Sequence, residues 1–378
     1  MRFLHKNNLS NVILVISDLH LGAGVHVNGR RNYLEDFHFD KELVDFLKYY
    51  SSEDYHSVNV ELIINGDFFD FLAIPFVDYF DDEYWSEKAA IEKLKHAMKA
   101  HYEVMQALGD FASVKGKKIT YIIGNHDAEM VFKSCQDEFM SIFDEKNRSK
   151  IQVIVKDEYR PSKEVVIKHG HNYEIAHRLD LEKCIISTKE NENYFVPPWG
   201  SYYVTRIINK YKAERSYINC VKPIRHFLIW GIVFDTLFTL RFMFSNAYYF
   251  IMVRILDFIN DKGNKFADLV KNISLELELF HDLESMTADY FIENKEVKAL
   301  LVGHTHEPTI KSFPSGQTFI NTGTWTKMFN LDFEKKQNGH KLTYAQINYE
   351  IKDNDENKYD FSLNVWQGKN KLPYQEFQ

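Results

Sequence analysis

The chain has 378 residues, of which 45% are hydrophobic and 26% are charged, a composition typical of a globular protein with room for a large core and an extra subdomain. Its formal net charge of −8 disfavours nucleic acid as the main partner, because binding a phosphate backbone requires clustered Lys and Arg. The three scattered cysteines, Cys135, Cys184 and Cys220, are expected to be reduced thiols. Together with an N-terminus that lacks a signal-peptide cleavage site, they favour a cytoplasmic location.

Five apolar runs are predicted to be buried β-strands, and each ends in a polar turn. Between them, helical spacing of apolar residues over 39–50 and 86–113 predicts helices. Helices that alternate with continuous apolar strands indicate an α/β protein with a buried sheet. The five runs are NVILVISDLHLG (11–22), VNVELIINGDFFDF (58–71), KKITYIIGNHD (117–127), KEVVIKHGHNYE (163–174) and VKALLVGHTHEP (297–308).

After residue 308 the pattern changes to strand-like segments without intervening helices. We expect these segments to form a second sheet. They are TFINTGTWTKMF (318–329), HKLTYAQINYEI (340–351) and KYDFSLNVW (358–366).

A helix-like segment of unusual composition, residues 175–290, separates the fourth and fifth strands. It contains an aromatic and aliphatic run, 227–259, which Asp235, Arg241 and Arg254 interrupt, so no window of about 20 apolar residues exists for a membrane-spanning helix. Two interpretations remain: a helical subdomain that packs on itself, or an apolar lid or surface that handles a lipid or docks on a membrane. We therefore expect a core of residues 1–174 and 291–378 with an insert at 175–290.

Each predicted strand is followed by side chains that bind metals. Residues i and i+2 of an extended segment point to the same side, and functional groups collect at the carboxyl ends of strands in α/β sheets. A mixture of oxygen and nitrogen ligands suits Mn²⁺, Fe or Zn²⁺ better than Mg²⁺ or Ca²⁺. The candidate residues are Asp18, His20, Asp67, Asn125, His126, His169, His171, His304 and His306. The other histidines of the chain, His177 among them, are interpreted as ordinary surface or core residues.

The number of candidate ligands indicates two ions. One octahedral ion cannot use seven protein ligands and still hold water and substrate, whereas two ions bridged by a carboxylate can. Asp67 is the natural bridge, because no other candidate ligand follows its strand. Two metals about 3.5–4 Å apart form a clamp for in-line displacement at phosphorus.

The ordered set DLH, GD, GNHD, HGH and GHTH resembles the motifs of the calcineurin-like metallophosphoesterases over residues 12–325, apart from the insert. The resemblance implies a four-layer α/β sandwich of two facing mixed β-sheets flanked by helices. It also implies a dinuclear metal site, and from the mixed ligands we expect two divalent ions, Mn²⁺ first and Fe or Zn²⁺ as alternatives. In HGH the family's ligand is the first His, so His171 would support the site or face the substrate. The first metal would be held by Asp18, His20, Asp67 and His306, and the second by Asp67, Asn125, His169 and His304.

The resemblance also assigns catalytic roles. In the family, the His at the position of His126 faces the phosphoryl group and stabilises or protonates the leaving oxygen. The GDxxD pattern places Asp70 against that His, and a His that stays protonated beside two cations needs an anionic partner. A hydroxide bridging the metals would attack phosphorus without a covalent enzyme intermediate. Asp127 is predicted to orient its loop or to cap the following helix.

Several substrates are compatible with these motifs. The layout is similar to that of the UDP-2,3-diacylglucosamine pyrophosphatases, which suggests a lipid-linked pyrophosphate and a peripheral position at the inner face of a membrane. That family has Arg at the position of His126, however, and a shorter insert. The alternative is a soluble phosphodiesterase or phosphatase acting on nucleotides or small phosphoesters. A nuclease is disfavoured, because the nucleases of this family carry a capping domain after the last His motif.

Arg178 is the first candidate for contact with a substrate phosphate, since it follows a ligand-bearing strand.

Overall fold

The computed structural model describes residues 11–74, 82–222, 224–260, 283–331, 341–350, 358–368 and 374–375. The described strands are β1 (Asn11–Ile16), β2 (His26–Val27), β3 (Arg30–Arg31), β4 (Asn59–Asn65), β5 (Lys117–Ile122), β6 (Ile151–Ile154), β7 (Glu158–Ser162), β8 (Val165–Lys168), β9 (Ile185–Ser187), β10 (Asn193–Phe195), β11 (Val221–Lys222), β12 (Ala299–Val302), β13 (Thr309–Ser312), β14 (Thr318–Asn321), β15 (Phe329–Asn330), β16 (Leu342–Glu350), β17 (Lys358–Trp366) and β18 (Tyr374–Gln375).

The helices follow the same chain order. Residues 199–212 form one continuous helical stretch, because a π-helical segment, Val204–Ile208, joins two short α-helices. The described α-helices are α1 (Asp40–Ser51), α2 (Glu87–Ala100), α3 (Tyr102–Ser113), α4 (Lys133–Met140), α5 (Trp199–Tyr203), α6 (Asn209–Lys212), α7 (Ile224–Phe234), α8 (Thr236–Asn260) and α9 (Leu283–Glu293).

Two mixed sheets contain most of these strands. The first sheet has the order β18-β17-β16-β1-β4-β5-β6, and the second has the order β13-β14-β12-β8-β7. β1, β4, β5 and β6 run parallel to one another, as do β8, β12 and β14. The fourth and fifth predicted strands thus belong to the second sheet rather than to one sheet with the first three.

The expectation for the C-terminal strands was only partly correct. β14 lies in the second sheet beside β12, but β16 pairs antiparallel with β1, and β17 pairs with β16. The first sheet therefore gains its antiparallel half from the end of the chain. Strand propensity identified these segments, but the pairing depends on which edge of β1 is free once β4 occupies the other.

The two sheets face each other across an apolar layer, and alternation along β1 shows how. Ile13 and Val15 point inward toward Val165 and Leu301 of the second sheet. Their neighbours Val12, Leu14 and Ile16 point outward into a cluster with residues of helices α1, α2 and α3. Consecutive strand residues thus serve opposite layers.

The outer face of the second sheet is covered by α9. Phe291 of this helix packs with Val166, Leu300 and Val302. Helices, first sheet, second sheet and helix therefore form four layers, and the predicted fold class is confirmed. α9 also runs across residue 290, where the insert was expected to end.

The predicted helix over 86–113 is two helices, because the backbone leaves the helical conformation at His101 (φ −108°, ψ 40°). The His101 ring is buried, with Nδ1 2.6 Å from Asp40 Oδ1 and Nε2 3.5 Å from Glu35 Oε1. Burial opposes protonation of the ring, but the two carboxylates raise the pKa of His101 to about 9. The break therefore ties α2 and α3 to the start of α1.

The part of the insert that the structure describes is anchored to the core by its first long helical stretch. Asn209 Nδ2 donates to the Leu72 carbonyl at 2.7 Å, and buried Lys212 Nζ lies 2.7 Å from Asp36 Oδ2. Farther along the chain, β11 pairs with β15, which follows the second sheet. The insert is thus attached to the core at two places, the helical stretch that ends at Lys212 and strand β11.

α7 and α8 form a hairpin that packs on this anchored part through one face only. Phe238 and Phe242 are buried against Tyr211, whose hydroxyl donates to the Arg241 carbonyl at 3.0 Å. Among the described helices, none combines the length and apolar character needed to cross a membrane.

The opposite face of the hairpin is also apolar, but it is exposed. Exposure reaches 86% for Leu237, 77% for Phe234 and 74% for Phe244. On α8 the exposed side chains recur three or four residues apart, which is the spacing of one helix face. The exposed apolar stripe consists of Ile229, Trp230, Ile232, Val233, Phe234, Leu237, Leu240, Met243, Phe244, Tyr248 and Ile251.

Candidate metal centre

The predicted ligands meet where strands of both sheets end. β1, β4 and β5 of the first sheet lead to Asp18, Asp67 and Asn125, while β8 and β12 of the second lead to the HGH and GHTH segments. Among the residues that the structure describes, four sets of His, Asp and Glu side chains there have ligand atoms within 4.8 Å of one another. They are Asp18–His20–His306, His20–Asp67–His126, Asp67–His169–His304 and Glu174–His177–His304.

The backbone turns these side chains inward by an unusual route. Seven described non-glycine residues have positive φ, and five of them are predicted ligands: Asp18, His20, Asp67, His304 and His306, at φ +51° to +67°. Left-handed backbone costs a non-glycine residue energy and persists at functional sites. The expectation that i and i+2 align in an extended segment was therefore wrong, because β1 ends at Ile16 and β12 at Val302.

Glycines in the same motifs make room for the ligands. A Cβ added at Gly124 would collide with the carboxylate of Asp67, and one at Gly66 would collide with the His169 ring. Gly66 also has φ +79°, which a residue with a side chain rarely adopts. The glycines of GD and GNHD are thus needed where the two motif loops approach the ligands.

The first set of ligands surrounds the ring of His306. His306 Nε2 lies 3.2 Å from His20 Nε2 and 3.3 Å from Asp18 Oδ1. The backbone N–H of His304 donates to both oxygens of Asp18, at 3.0 and 2.9 Å, and fixes that carboxylate. Ligands of one cation bound at about 2.1 Å lie about 3.0–3.4 Å apart, so this donor set fits a divalent ion.

The second set of ligands centres on His169. Its Nε2 lies 3.2 Å from Asp67 Oδ2 and 3.2 Å from Asn125 Oδ1. Its Nδ1 lies 2.8 Å from the Asn65 carbonyl and donates to it, which leaves Nε2 free to bind a metal. Burial disfavours protonation, but Asp67 and Asp18 raise the pKa of His169 to about 10. The carboxylates thus create a strongly negative potential that attracts cations.

Asp67 lies between the two sets. Its Oδ2 is 3.8 Å from His20 Nε2 and 3.2 Å from His169 Nε2, while its Oδ1 accepts the His126 backbone N–H at 2.8 Å. Burial would raise the pKa of Asp67, but His169 and His126 hold it well below its usual value. The position between two donor sets is the one expected of a bridging carboxylate.

His126 and Asp70 form a pair at the edge of the first set. His126 Nδ1 lies 2.9 Å from Asp70 Oδ1, and the other oxygen of Asp70 is 3.5 Å from His20 Nδ1. Burial disfavours the charged forms of Asp70 and His20. The neighbouring His126 and His20 nevertheless hold the pKa of Asp70 well below its usual value. Asp70 and Asp67 raise the pKa of His20 to about 9. Asp70 thus orients a ligand ring and the ring of His126 together.

Asp127 links the loops after β4 and β5. One carboxylate oxygen accepts the Phe68 N–H at 2.8 Å and the Tyr121 hydroxyl at 2.5 Å, and the other accepts the Gly124 N–H. It makes no capping bond to the following helix. Burial and the nearby charge of Asp67 raise the pKa of Asp127 to about 6. Of its two predicted roles, the structure favours loop orientation.

The two predicted substrate-binding residues occupy different environments. His171 is buried, and no described group bonds its Nδ1; its ring centre is 5.4 Å from that of His169. Burial and the neighbouring His169 hold the pKa of His171 well below its usual value. Arg178 is exposed, and its Nε donates to the Asn172 carbonyl at 3.4 Å.

Sequence reasoning missed three residues beside the ligands. Glu174 Oε2 is 3.2 Å from His304 Nε2, and His177 Nδ1 is 3.4 Å from Asn125 Nδ2. Lys222 Nζ donates to the Thr305 carbonyl, inside the GHTH motif. His177 is therefore not an ordinary surface or core histidine. No spacing rule could find the three, since Glu174 follows the HGH motif without belonging to it, and His177 and Lys222 reach the site through the tertiary packing of the insert.

No protein-family model and no curated protein matches the chain. Among solved structures, a predicted phosphoesterase from Streptococcus pneumoniae is 12% identical, with 97% of this chain and 94% of that chain covered and a TM-score of 0.30. A dimetal phosphatase from Danio rerio is 12% identical, with 97% and 99% covered and a TM-score of 0.38. A 5'-nucleotidase from Candida albicans is 11% identical, with 95% and 52% covered and a TM-score of 0.30. Similarities this low leave the chemistry to be argued from the side chains of the site.

Proposed function

We propose that the chain is a dinuclear metal-dependent phosphoesterase, as the resemblance to calcineurin-like metallophosphoesterases implies. The observation that carries the proposal is the position of Asp67 Oδ2 between His20 and His169, the members of two separate donor sets. Two bound divalent ions, with Mn²⁺ preferred and Fe or Zn²⁺ as alternatives, would activate a water and neutralise phosphoryl charge.

The chain's own residues supply orientation and a proton. His126 holds one ring nitrogen against Asp70 at 2.9 Å, so the other nitrogen can address a phosphoryl or leaving oxygen. Asp127 orients the loops that carry Asp67 and Asn125. His171 and Arg178 remain proposed substrate contacts.

Metal-dependent hydrolysis tests this function. Protein stripped with a chelator should be inactive toward bis(4-nitrophenyl) phosphate, and Mn²⁺ should restore activity as bound metal approaches two ions per chain. Parallel titrations with Zn²⁺ and Mg²⁺ serve as controls for the preferred ion. A stripped protein that keeps its full rate, or a metal-loaded protein that hydrolyses neither this diester nor 4-nitrophenyl phosphate, would contradict the proposal.

We further propose that the substrate is lipid-linked and that the insert contacts the membrane surface that holds it. The exposed apolar stripe supports this, because a helix that only packs on its neighbours turns polar residues to water. The inward face already buries Phe238 and Phe242. The outward face leaves Phe234, Leu237 and Phe244 more than 70% exposed, and a lipid surface matches its chemistry and its mixture of Trp, Tyr and aliphatic residues.

Phe234 and Phe244 test the membrane contact better than Phe238 and Phe242, whose replacement would disrupt the packing of the hairpin. The double variant Phe234→Glu/Phe244→Glu should lose most binding to phospholipid vesicles in flotation assays. Removing apolar surface from a lipid contact is worth about 25 cal/mol per Å², so two aromatic rings account for at least a tenfold change. It should also flatten the rise of kcat/KM with acyl length in a phosphoester series.

The same variant should hydrolyse a small chromogenic ester at nearly the normal rate. Ile292→Glu is the matched control, because Ile292 is 68% exposed and lies outside the hairpin. A wild-type protein that ignores vesicles and shows no dependence on acyl length would rule out the lipid proposal. The soluble phosphodiesterase or phosphatase would then be the remaining interpretation.

A further inference from the structure

We propose that Glu174 and His177 are positioning residues that orient two ligands of the second metal, a proposal that rests on the proposed dinuclear function. Glu174 contacts His304, and His177 contacts Asn125. Neither residue belongs to the motifs that predicted the ligands. Glu174 lies between two short helical turns, His171–Tyr173 and Ile175–His177, directly before the insert, and His177 ends the second turn, inside the insert.

Glu174 selects the tautomer of His304. Glu174 Oε2 lies 3.2 Å from His304 Nε2, and because a carboxylate accepts hydrogen bonds only, this pair favours the tautomer of His304 that carries its proton on Nε2. His304 Nδ1 is then the unprotonated nitrogen with a free lone pair. A carboxylate behind a ligating His fixes its orientation and increases its basicity.

His177 acts on the amide of Asn125 in the same way. Asn125 Nδ2 lies 3.4 Å from His177 Nδ1, and Asn125 Oδ1 lies 3.2 Å from His169 Nε2. An amide nitrogen is a donor only, so a donor contact to His177 turns the oxygen toward the ligand side. His177 Nε2 in turn lies 3.7 Å from Glu174 Oε2, and the His177 and His304 rings meet edge to face at 5.2 Å.

These contacts bias the second metal and leave the first alone. The first set, Asp18, His20 and His306, makes no described contact with Glu174 or His177. Replacing an outer partner of a metal ligand typically costs 10–100-fold in metal affinity. The junction between the core and the insert therefore supports the second metal directly, although the bulk of the insert lies elsewhere.

Metal titration of the full-length protein tests the proposal. Stripped wild type, Glu174→Ala, Glu174→Gln and His177→Phe are titrated with Mn²⁺ by calorimetry and by electron paramagnetic resonance. Glu174→Ala should weaken one of the two sites about 10–100-fold and leave the other unchanged. Glu174→Gln should be intermediate, because its amide oxygen still accepts from His304. His177→Phe should weaken the same site less.

Glu182→Gln is the matched control, since Glu182 is exposed on the same stretch of chain and should leave both sites unchanged. Histidine ¹⁵N chemical shifts give a readout that a purely structural role would not move: the His304 tautomer should change in Glu174→Ala. If wild type binds two ions but Glu174→Ala keeps both affinities and the tautomer, the positioning role is wrong and the dinuclear function survives. A third ion in wild type, lost in Glu174→Ala, would make Glu174 a ligand instead.

Discussion

Replacing Asp67 with Asn should remove both metal ions and nearly all hydrolysis. One oxygen of Asp67 is held by the His126 N–H, and the other faces both His20 and His169. An amide keeps one oxygen and loses the negative charge, so it cannot serve two cations at once. Since bound ions supply several kcal/mol of transition-state stabilisation, kcat/KM should fall at least about 10³-fold. Metal analysis and hydrolysis of bis(4-nitrophenyl) phosphate measure both effects.

Asp137→Asn is a suitable control for this change. Asp137 is exposed on α4 and pairs with Lys133, away from the ligands, so its loss should alter neither metal content nor rate. If Asp67→Asn retains two ions and the normal rate, the bridge is elsewhere and the dinuclear arrangement is wrong. Retention of a single ion would show that Asp67 serves one metal rather than both.

The strand ends that carry the ligands were predictable, because continuous apolar runs such as those before Asp18 and Asp67 are unambiguous. A buried parallel strand needs apolar residues on both faces, and all positions of β1 after Asn11 are buried. Polar residues directly after such a run must lie at the sheet edge. Convergence of the ligands then follows from the fold, whichever sheet each strand joins.

The geometry within each loop was not predictable. The left-handed backbone of Asp18, His20 and His304 replaces the extended alternation that the i, i+2 spacing suggested. Positive φ at non-glycine residues is locally unfavourable, so local propensity cannot indicate it. It persists where contacts enforce it, such as the His304 N–H bonds to Asp18. Such contacts join residues that are 286 positions apart in the sequence.

The insert shows a second limit of sequence reasoning. Apolar residues occur all around α8, so periodicity could not tell the buried Phe242 from the exposed Phe244. Tertiary packing distinguishes the two faces, as the contact of Phe242 with Tyr211 shows. Glu174 and His177 were missed for the same reason, since their significance depends on Asn125 and His304 from distant strands.

Replacing His126 with Ala should lower kcat about 10²–10⁴-fold while both metal ions remain bound, because the change removes a positioned proton donor. The defect should be small for a 4-nitrophenol leaving group, which needs little protonation, and large for an alkyl alcohol. Asp70→Asn should give a milder loss of rate, together with weaker binding of one ion, since Asp70 also faces His20 Nδ1 at 3.5 Å. The exposed His56→Ala variant controls for the loss of a histidine.

His126 also lies within ligand distance of His20 and Asp67. Loss of one ion in His126→Ala, with an equal defect for both leaving groups, would therefore make His126 a metal ligand rather than the proton donor.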